Sequence, residues 1–145
     1  MTSLEERYDA EVARAMLASD AKQPGLPAYL GMKITDNGPG WCHVDLEVTT
    51  ELLNPFGAAH GAVVASIVDH ALGSAVFPLV PLGTWPATLE FKVNYLAPAR
   101  PGLLRARSEV VSISSRTAVV GVECTNGDRP VATALGTIAL VPQKT

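Results

Sequence analysis

The chain has 145 residues, of which 48% are hydrophobic and 17% charged, with a formal net charge of −3. This composition is typical of one globular domain with a real core and excludes a disordered chain. The acidic balance offers no basic surface for nucleic acid, and no apolar run of about twenty residues lacks a charge, so neither a nucleic-acid partner nor a membrane span is predicted. Two distant cysteines and the lack of a secretory pattern favour a cytoplasmic protein.

The first predicted element is a helix over residues 3–18. Ser3 and Glu6 fit a capping box at its start. Apolar residues then recur at every fourth position, at Leu4, Tyr8, Val12 and Met16. Residues 20–28 are rich in proline and glycine and indicate a linker. We therefore predict an N-terminal helix and linker over residues 1–25 and a main domain over residues 26–145.

Six strands are predicted in the main domain. Residues 29–35 and 41–49 form a hairpin, and a long helix follows them. The last four strands cover residues 87–96, 103–113, 117–125 and 131–141, and their short turns predict an antiparallel meander. Alternation in the first of these four places Leu89 on one face with Phe91 and Val93, and Thr88 on the other.

The long helix is the centre of the predicted fold. Residues 54–77 begin as a loop and continue as small and apolar residues until Pro78, which indicates a helix buried on every side. Asp69 lies in the middle of this run, where an unpaired carboxylate is costly, and we interpret it as catalytic. Burial is expected to raise the pKa of Asp69, whereas nearby N–H donors would oppose that rise.

A set of residues around the start of this helix resembles a known family. Asn54, Gly57, His60 and Gly61, with Asp69 eight residues later, are similar to the acyl-CoA thioesterases of the PaaI type. Residues 94–100 and 29–32 also look like that family, so the resemblance covers residues 26–141. It implies an α+β hotdog fold, an antiparallel sheet wrapped around one long central helix, here with an extra N-terminal helix.

The resemblance also implies roles for individual residues. Asp69 would be the general base or nucleophile, the Gly61 N–H would polarise the thioester carbonyl, and Asn54 would place the carbonyl or the water. Thr88 occupies the position where related enzymes orient the water with Ser or Thr. The family commonly has a second glycine where this chain has Ala62, which keeps its N–H. Substrate contacts are expected at His60, which would brace the loop, and at Gly57, Ala62, Ser66 and Gly73.

The spacing of two of these residues has a consequence of its own. Gly61 and Asp69 are eight residues apart, which is about 12 Å along a helix, so one thioester carbon cannot touch both in one chain. We therefore predict a site across the interface of a homodimer. A homotetramer of two such dimers is the expected larger assembly, although the sequence leaves its arrangement open. Small residues around Asp69 would leave room for an acyl chain or a water.

Two functions fit these residues, and a third is considered and not favoured. The first is hydrolysis of an acyl-CoA to a free acid and CoA, with no cofactor because coenzyme A is part of the substrate. The second is non-catalytic binding of an acyl thioester, and the third is dehydration of a hydroxyacyl thioester. Dehydration needs a paired Asp and His, and His70 points about 100° away from Asp69 on a helix. The three histidines and two cysteines show no metal-ligand spacing, so no metal is predicted. Aryl, short-chain and medium-chain acyl groups all remain open.

Overall fold

The structure, a computed structural model, describes residues 1–19 and 24–144. Its elements in chain order are the helices α1 (Leu4–Arg7), α2 (Ala10–Ser19) and α3 (Leu26–Leu30), the strands β1 (Lys33–Gly38) and β2 (Trp41–Val48), the helix α4 (Gly61–Val76), and the strands β3 (Thr84–Tyr95), β4 (Gly102–Ile113), β5 (Thr117–Asn126) and β6 (Arg129–Pro142). All six strands form one antiparallel sheet, and α4 packs against every one of them. The predicted hotdog fold is therefore confirmed.

Helix α4 is covered on one side only. Nine of its residues are buried, among them Ile67, Val68 and Leu72, which are fully enclosed by the sheet. A strip of exposed and half-buried residues, small apart from one carboxylate, follows the other side, and we call it the open stripe: Ala62, Ala65, Ser66, Asp69 and Gly73. The prediction of a helix buried on every side is wrong for the single chain, because alanine, serine and glycine suit an open surface as well as a core.

The strand order is β1-β2-β4-β5-β6-β3. The β1–β2 hairpin and the meander of β4, β5 and β6 are confirmed. The prediction that β3 belongs to the same meander is wrong, since β3 pairs with β6 and lies at the far edge. The cause is non-local. The chain leaves β2 through α4 and enters the sheet again at its far edge as β3. Residues 96–101 then carry it back to β4, which lies beside β2. A hydrogen bond of 2.8 Å from the Ala59 N–H to the Ala99 carbonyl holds this return segment near the start of α4.

A β-bulge interrupts β3. Thr88 pairs with Ile138 and Glu90 pairs with Thr137, so Leu89 has no partner in the register, and it is 63% exposed. The predicted face shared by Leu89 with the residues that follow it is therefore wrong, because the bulge shifts the side-chain phase by one residue. It turns Thr88 toward the same cleft as Asp69.

The predicted N-terminal helix is divided into α1 and α2. The capping box is confirmed, with the Glu6 N–H donating to Ser3 Oγ at 3.2 Å and the Ser3 N–H donating to Glu6 Oε2 at 2.7 Å. The break falls at Asp9, whose carboxylate accepts from the N–H groups of Glu11 and Val12 at 2.9 and 3.1 Å and so caps α2. A side chain that satisfies the start of a new helix explains why one continuous helix does not form.

The region before β1 differs from the prediction. Residues 29–35 were predicted as a strand, but α3 occupies the first two of these positions and β1 begins at Lys33. Pro27 in the first turn of α3 and Gly31 at its end, with φ +72°, form the usual pairing of an N-terminal proline with a C-terminal glycine. Of the predicted linker, residues 20–23 lie outside the part of the chain that the structure describes. The division of the chain at residue 25 stays a prediction.

Two sequence features acquire an explanation from the fold. The segment Gly61–Leu79 is long and apolar enough by composition to cross a membrane, but 61% of its most apolar window is buried, as in the core helix of a soluble protein. Cys42 and Cys124 both lie in the core, and burial raises the pKa of the Cys124 thiol to about 12.

Candidate active site

Two clefts lie along α4, one beside its middle and one at its start. The first, here named the Asp69 cleft, has a volume of about 430 Å³ and is lined by α2, the C-terminal half of α4 and the beginning of β3. The second, here named the Gly61 cleft, has a volume of about 490 Å³ and is lined by the loop before α4, its first turn, and residues 95–100. The predicted site residues are divided between these clefts.

The Asp69 cleft brings Asp69 and Thr88 together. Both side chains are exposed, and both also line a shallower depression that continues past Ala65 and Ser66. The expected burial of Asp69 is therefore wrong for the single chain, because the open stripe is not covered by the sheet. Its carboxylate accepts no hydrogen bond from the described residues, so both oxygens are available to a water or a substrate.

The other predicted residues of the open stripe leave space around Asp69. Gly73 lines the Asp69 cleft, and a Cβ built on it would meet nothing within 4 Å. Ser66 Oγ donates to the Ala62 carbonyl at 2.7 Å, so its hydroxyl proton is used within the helix. His70 lines the Asp69 cleft as well. The surface around the carboxylate is therefore small in volume and mixed in polarity.

The start of α4 presents a backbone donor to the Gly61 cleft. His60 is the N-cap residue, and its Nδ1 accepts from the Ala62 N–H at 3.0 Å. The Gly61 N–H finds no acceptor within the described residues. An unpaired N–H at the positive end of a helix dipole is suited to stabilising an oxyanion. The His60 side chain thus occupies the Ala62 N–H and leaves that of Gly61 for a ligand.

Asn54 lies beside this helix start with its side chain oriented by the loop. Its Oδ1 accepts from the N–H groups of Phe56 and Ala58 at 2.9 and 3.2 Å, and its own N–H donates to the Ala58 carbonyl at 2.7 Å. Gly57 closes the turn with φ +79°, a conformation that favours glycine, and its N–H donates to the Asn54 carbonyl at 3.1 Å. Because the loop uses the amide oxygen of Asn54, the NH₂ group is the end that can reach a substrate.

Two further residues of the Gly61 cleft were not assigned a role from the sequence. The Tyr95 hydroxyl donates to the Gly61 carbonyl at 2.8 Å and so fixes the first residue of α4 to the last residue of β3. Arg100 Nη1 donates to the Gly57 carbonyl at 3.1 Å, which braces the loop before α4. Residues 94–100 were singled out for their likeness to a family segment, but sequence spacing alone gave no reason to place them beside Gly61.

The single chain does not assemble the predicted residues at one point. Asp69, Ser66 and Gly73 lie along the middle of α4, with Thr88 of β3 beside them. Asn54 and Gly61 lie at the start of α4. Along the helix axis the two groups are about 12 Å apart. Within residues 1–19 and 24–144, no group of three or more His, Cys, Asp or Glu side chains is placed to hold a metal ion.

Comparison with known proteins decides the family. A family model described as the thioesterase superfamily matches residues 56–133, more than half of the chain. The chain belongs to the thioesterase superfamily. The match includes Gly61, Asp69 and Thr88, so both clefts lie largely within the family region.

Individual relatives agree with this family. A 1,4-dihydroxy-2-naphthoyl-CoA hydrolase of Listeria monocytogenes is 30% identical over 102 residues, covering 70% of this chain and 83% of the relative. A thioesterase family protein from Silicibacter pomeroyi superposes with a TM-score of 0.81 at 29% identity, covering 92% of this chain and 98% of that structure. A hypothetical thioesterase protein with coenzyme A from Streptococcus pneumoniae gives a TM-score of 0.70 at 28% identity, covering 79% and 91%. The chain is therefore a thioester hydrolase by family.

Proposed function

We propose that this protein is an acyl-CoA thioesterase of the PaaI type whose active site is shared between two copies of the chain. The observation that carries the proposal is the division of chemistry along α4. A carboxylate and a hydroxyl, Asp69 and Thr88, line one cleft, and an unpaired backbone donor and an amide, Gly61 and Asn54, line another. Neither cleft is complete alone, and a two-fold pairing of helices would bring the two sets together.

The two sets have complementary parts in thioester hydrolysis. Thr88 holds a water beside Asp69, and the carboxylate takes a proton as the water oxygen attacks the thioester carbon. The Gly61 N–H and the Asn54 NH₂ of a second copy stabilise the negative charge that forms on the carbonyl oxygen. Collapse of this intermediate breaks the C–S bond, and the proton held by Asp69 passes to the departing CoA sulfur. The products are the free acid and CoA.

The surface of β3 supports such a pairing. It is an edge strand of twelve residues, and it exposes three large apolar side chains: Trp85 at 60%, Leu89 at 63% and Tyr95 at 54%. A long edge strand with unpaired backbone groups is a ready template for another chain and is normally covered in a native protein. Next to it lies the open stripe of α4, whose small side chains allow close approach.

The CoA portion of the substrate is assigned to the Gly61 cleft. Arg100 lies there beside the Asn54 loop, and a guanidinium is the side chain best suited to phosphate. The Streptococcus pneumoniae structure that resembles this chain is described with coenzyme A, which supports CoA as the carrier. The acyl group would then point away from Arg100, into the Asp69 cleft.

The sharing of the site can be tested by subunit complementation. Gly61→Pro removes the proposed donor, and proline is tolerated at the first residue of a helix, where the His60 backbone, at φ −58° and ψ 138°, suits a following proline. Asp69→Ala removes the carboxylate. Each variant alone should release almost no CoA thiol from acyl-CoA substrates. Co-expression of the two should restore about a quarter of the wild-type activity, because half of the random dimers carry one intact shared site.

A matched variant controls for the added side chain. Gly61→Ala introduces the same Cβ, which would lie 3.2 Å from the Tyr95 hydroxyl, but it keeps the N–H. It should retain most of the activity that Gly61→Pro loses. Failure of the mixed dimers to recover any activity, with both single variants folded, would contradict the shared site. If the wild type binds CoA esters without any turnover, the protein is a non-catalytic acyl-thioester binder.

A further inference from the structure

The Asp69 cleft extends beyond the groups that take part in the proposed reaction. Its floor follows α4 from Asp69 through Gly73 to Phe77, eight residues toward the C-terminus, which is a length of about 12 Å. Pro86 and Thr88 of β3 line it, and so do Ile34 of β1 and two residues of α2, Met16 and Ser19. The cleft is therefore a short trough that starts at the carboxylate and has the N-terminal helix as a wall.

That wall is firmly attached to the main domain. Asn37 of β1 accepts from the Tyr8 hydroxyl at 3.0 Å and donates through Nδ2 to the Ala13 carbonyl of α2 at 3.2 Å. Ala13 itself is only 1% exposed. At the start of α2, the Asp9 N–H donates to the Pro78 carbonyl at 2.8 Å, which ties the helix to the end of the trough. Because α2 is held at both its start and its middle, Met16 occupies a defined place.

The region matched by the family model begins at residue 56, so α2 lies outside it. The match to the family model therefore gives no role to α2. Met16 is half-buried at the trough, whereas its neighbour Leu17 is 41% exposed and does not line it. A methionine side chain is unbranched and apolar, and it adapts to the ligand beside it.

We propose that α2 forms the outer wall of the acyl pocket and that Met16 sets the size of the acyl group that the thioesterase accepts. This inference rests on the proposed function, because it takes Asp69 as the point where the thioester lies. An acyl group that enters from Asp69 runs toward Phe77 between β3 and Met16. The trough accommodates a single aromatic ring or a chain of medium length, and it excludes long fatty acyl groups. Met16 is a specificity-determining residue and takes no part in the chemistry.

The test compares four variants of α2 with the wild type. Met16→Ala widens the trough, Met16→Trp fills it, and Leu17→Ala is the matched control on the same helix. The substrates are acetyl-, hexanoyl-, decanoyl-, palmitoyl- and benzoyl-CoA, and kcat/KM is measured for each by thiol release. In parallel, the Kd of the corresponding non-hydrolysable thioether analogues of CoA is measured by calorimetry. Met16→Phe is a smaller filling variant, and melting curves identify the variants that fold.

Each variant has a distinct expected result. Met16→Ala should raise kcat/KM for decanoyl-CoA relative to hexanoyl-CoA by about tenfold, the order expected for one or two buried methylenes. Met16→Trp, or Met16→Phe in its place, should lower kcat/KM for benzoyl- and hexanoyl-CoA by about tenfold or more and leave acetyl-CoA within about twofold. Leu17→Ala should match the wild type on every substrate.

The inference and the proposed function fail in different ways. If the wild type hydrolyses acyl-CoA but the Met16 variants keep its acyl-chain preference, α2 is not the wall of the acyl pocket. The proposed thioesterase activity would be unaffected by that result. If the Met16 variants change the Kd of the analogues but no ester is hydrolysed, α2 lines the acyl pocket and the proposed thioesterase activity is wrong. An equal shift in Leu17→Ala would show that the helix acts through general stability, and it would also overturn the role of Met16.

Discussion

The two sides of α4 differ in residue type and in role. The side against the sheet is closed, with Ile67, Val68, Ala71 and Leu72 fully buried. The open stripe, one quarter-turn to half a turn away, has small side chains and a single exposed carboxylate. Burial of a large aliphatic side chain contributes about 1.5–3 kcal/mol to stability, whereas an exposed carboxylate contributes little. Substitutions a few residues apart should therefore separate stability from activity.

The largest effect on activity is expected at the centre of the open stripe. Asp69→Asn keeps the size of the side chain and removes its basicity, so kcat for an acyl-CoA should fall by about 10²–10⁴. The melting temperature should stay within about a degree, because Asp69 is exposed and accepts no hydrogen bond from the described residues. Asp128→Asn, in an exposed turn, removes the same charge as a control and should change neither quantity. Near-normal turnover by Asp69→Asn would end the assignment of this carboxylate.

The opposite behaviour is expected on the closed side. Ile67 is 0% exposed, and Ile67→Ala should lower the free energy of unfolding by about 2–5 kcal/mol through lost burial and a cavity. Below the melting transition, kcat should remain within about twofold of the wild type. Urea denaturation followed by circular dichroism measures the first quantity and thiol release the second. A loss of stability under about 1 kcal/mol would mean that this side is less tightly packed than its burial indicates.

Substitution of two glycines by alanine compares the two sides of α4, because each substitution adds one methyl group. At Gly136, on β6, a Cβ would come within 2.8 Å of Leu72 Cδ1 and 2.9 Å of Phe91 Cβ, so Gly136→Ala should cost about 1–3 kcal/mol. At Gly73 a Cβ meets nothing within 4 Å, and alanine is the better helix former, so Gly73→Ala should stabilise the fold by about 0.5–1 kcal/mol. Chemical denaturation of both variants tests the opposite signs. Gly73 lines the Asp69 cleft, which the proposed dimer leaves open for the acyl group. Destabilisation by Gly73→Ala would mean that the second copy packs against this glycine instead.

The smallest effect concerns the face of the sheet that is away from α4. Burial lowers the pKa of His43 from its ordinary value, and the positive charges of Arg107 and Arg105 lower it further. The folded chain therefore prefers neutral His43, and as the pH falls below about 6.5 the unfolded chain takes up the proton first. Stability from this residue is present above that pH and is lost as the pH falls toward the lowered folded pKa.

Melting temperatures between about pH 7.5 and pH 5.5 test this effect. The wild type should lose slightly more stability over this range than His43→Gln, which cannot titrate there. Activity at a fixed pH should be the same in both proteins, because His43 lies away from both clefts on α4. Parallel stability curves for the two proteins would show that His43 does not contribute.

Local sequence signals predicted the parts of the fold that depend on neighbouring residues. The capping box at Ser3 is present, and so is the predicted short turn between the last two strands, where Gly127 has φ +60°. The position of β3 depends on pairing across the whole sheet, and no local pattern in 84–95 distinguishes β6 from β4 as its partner. The bulge at Leu89 was hidden for a related reason, since a period of two along the strand continues through it in the sequence.

The candidate site shows the same division. The separation of Gly61 from Asp69 follows from helix geometry alone, and the structure places them in different clefts. Only three-dimensional contacts show that the loop uses the Asn54 side-chain oxygen and that the Tyr95 hydroxyl holds the Gly61 carbonyl. Their catalytic roles stay predictions until the variants are measured.

The hydrogen bond between the Tyr95 hydroxyl and the Gly61 carbonyl joins an edge strand to a helix tip. It makes the two a single mechanical unit, since a displacement of the strand end is transmitted directly to the first peptide of α4. A neighbour that grips β3 would thereby also steady the amide beside Asn54. Contact with a neighbouring chain at β3 and the orientation of the amide at the start of α4 are in this way linked through the Tyr95 phenol group.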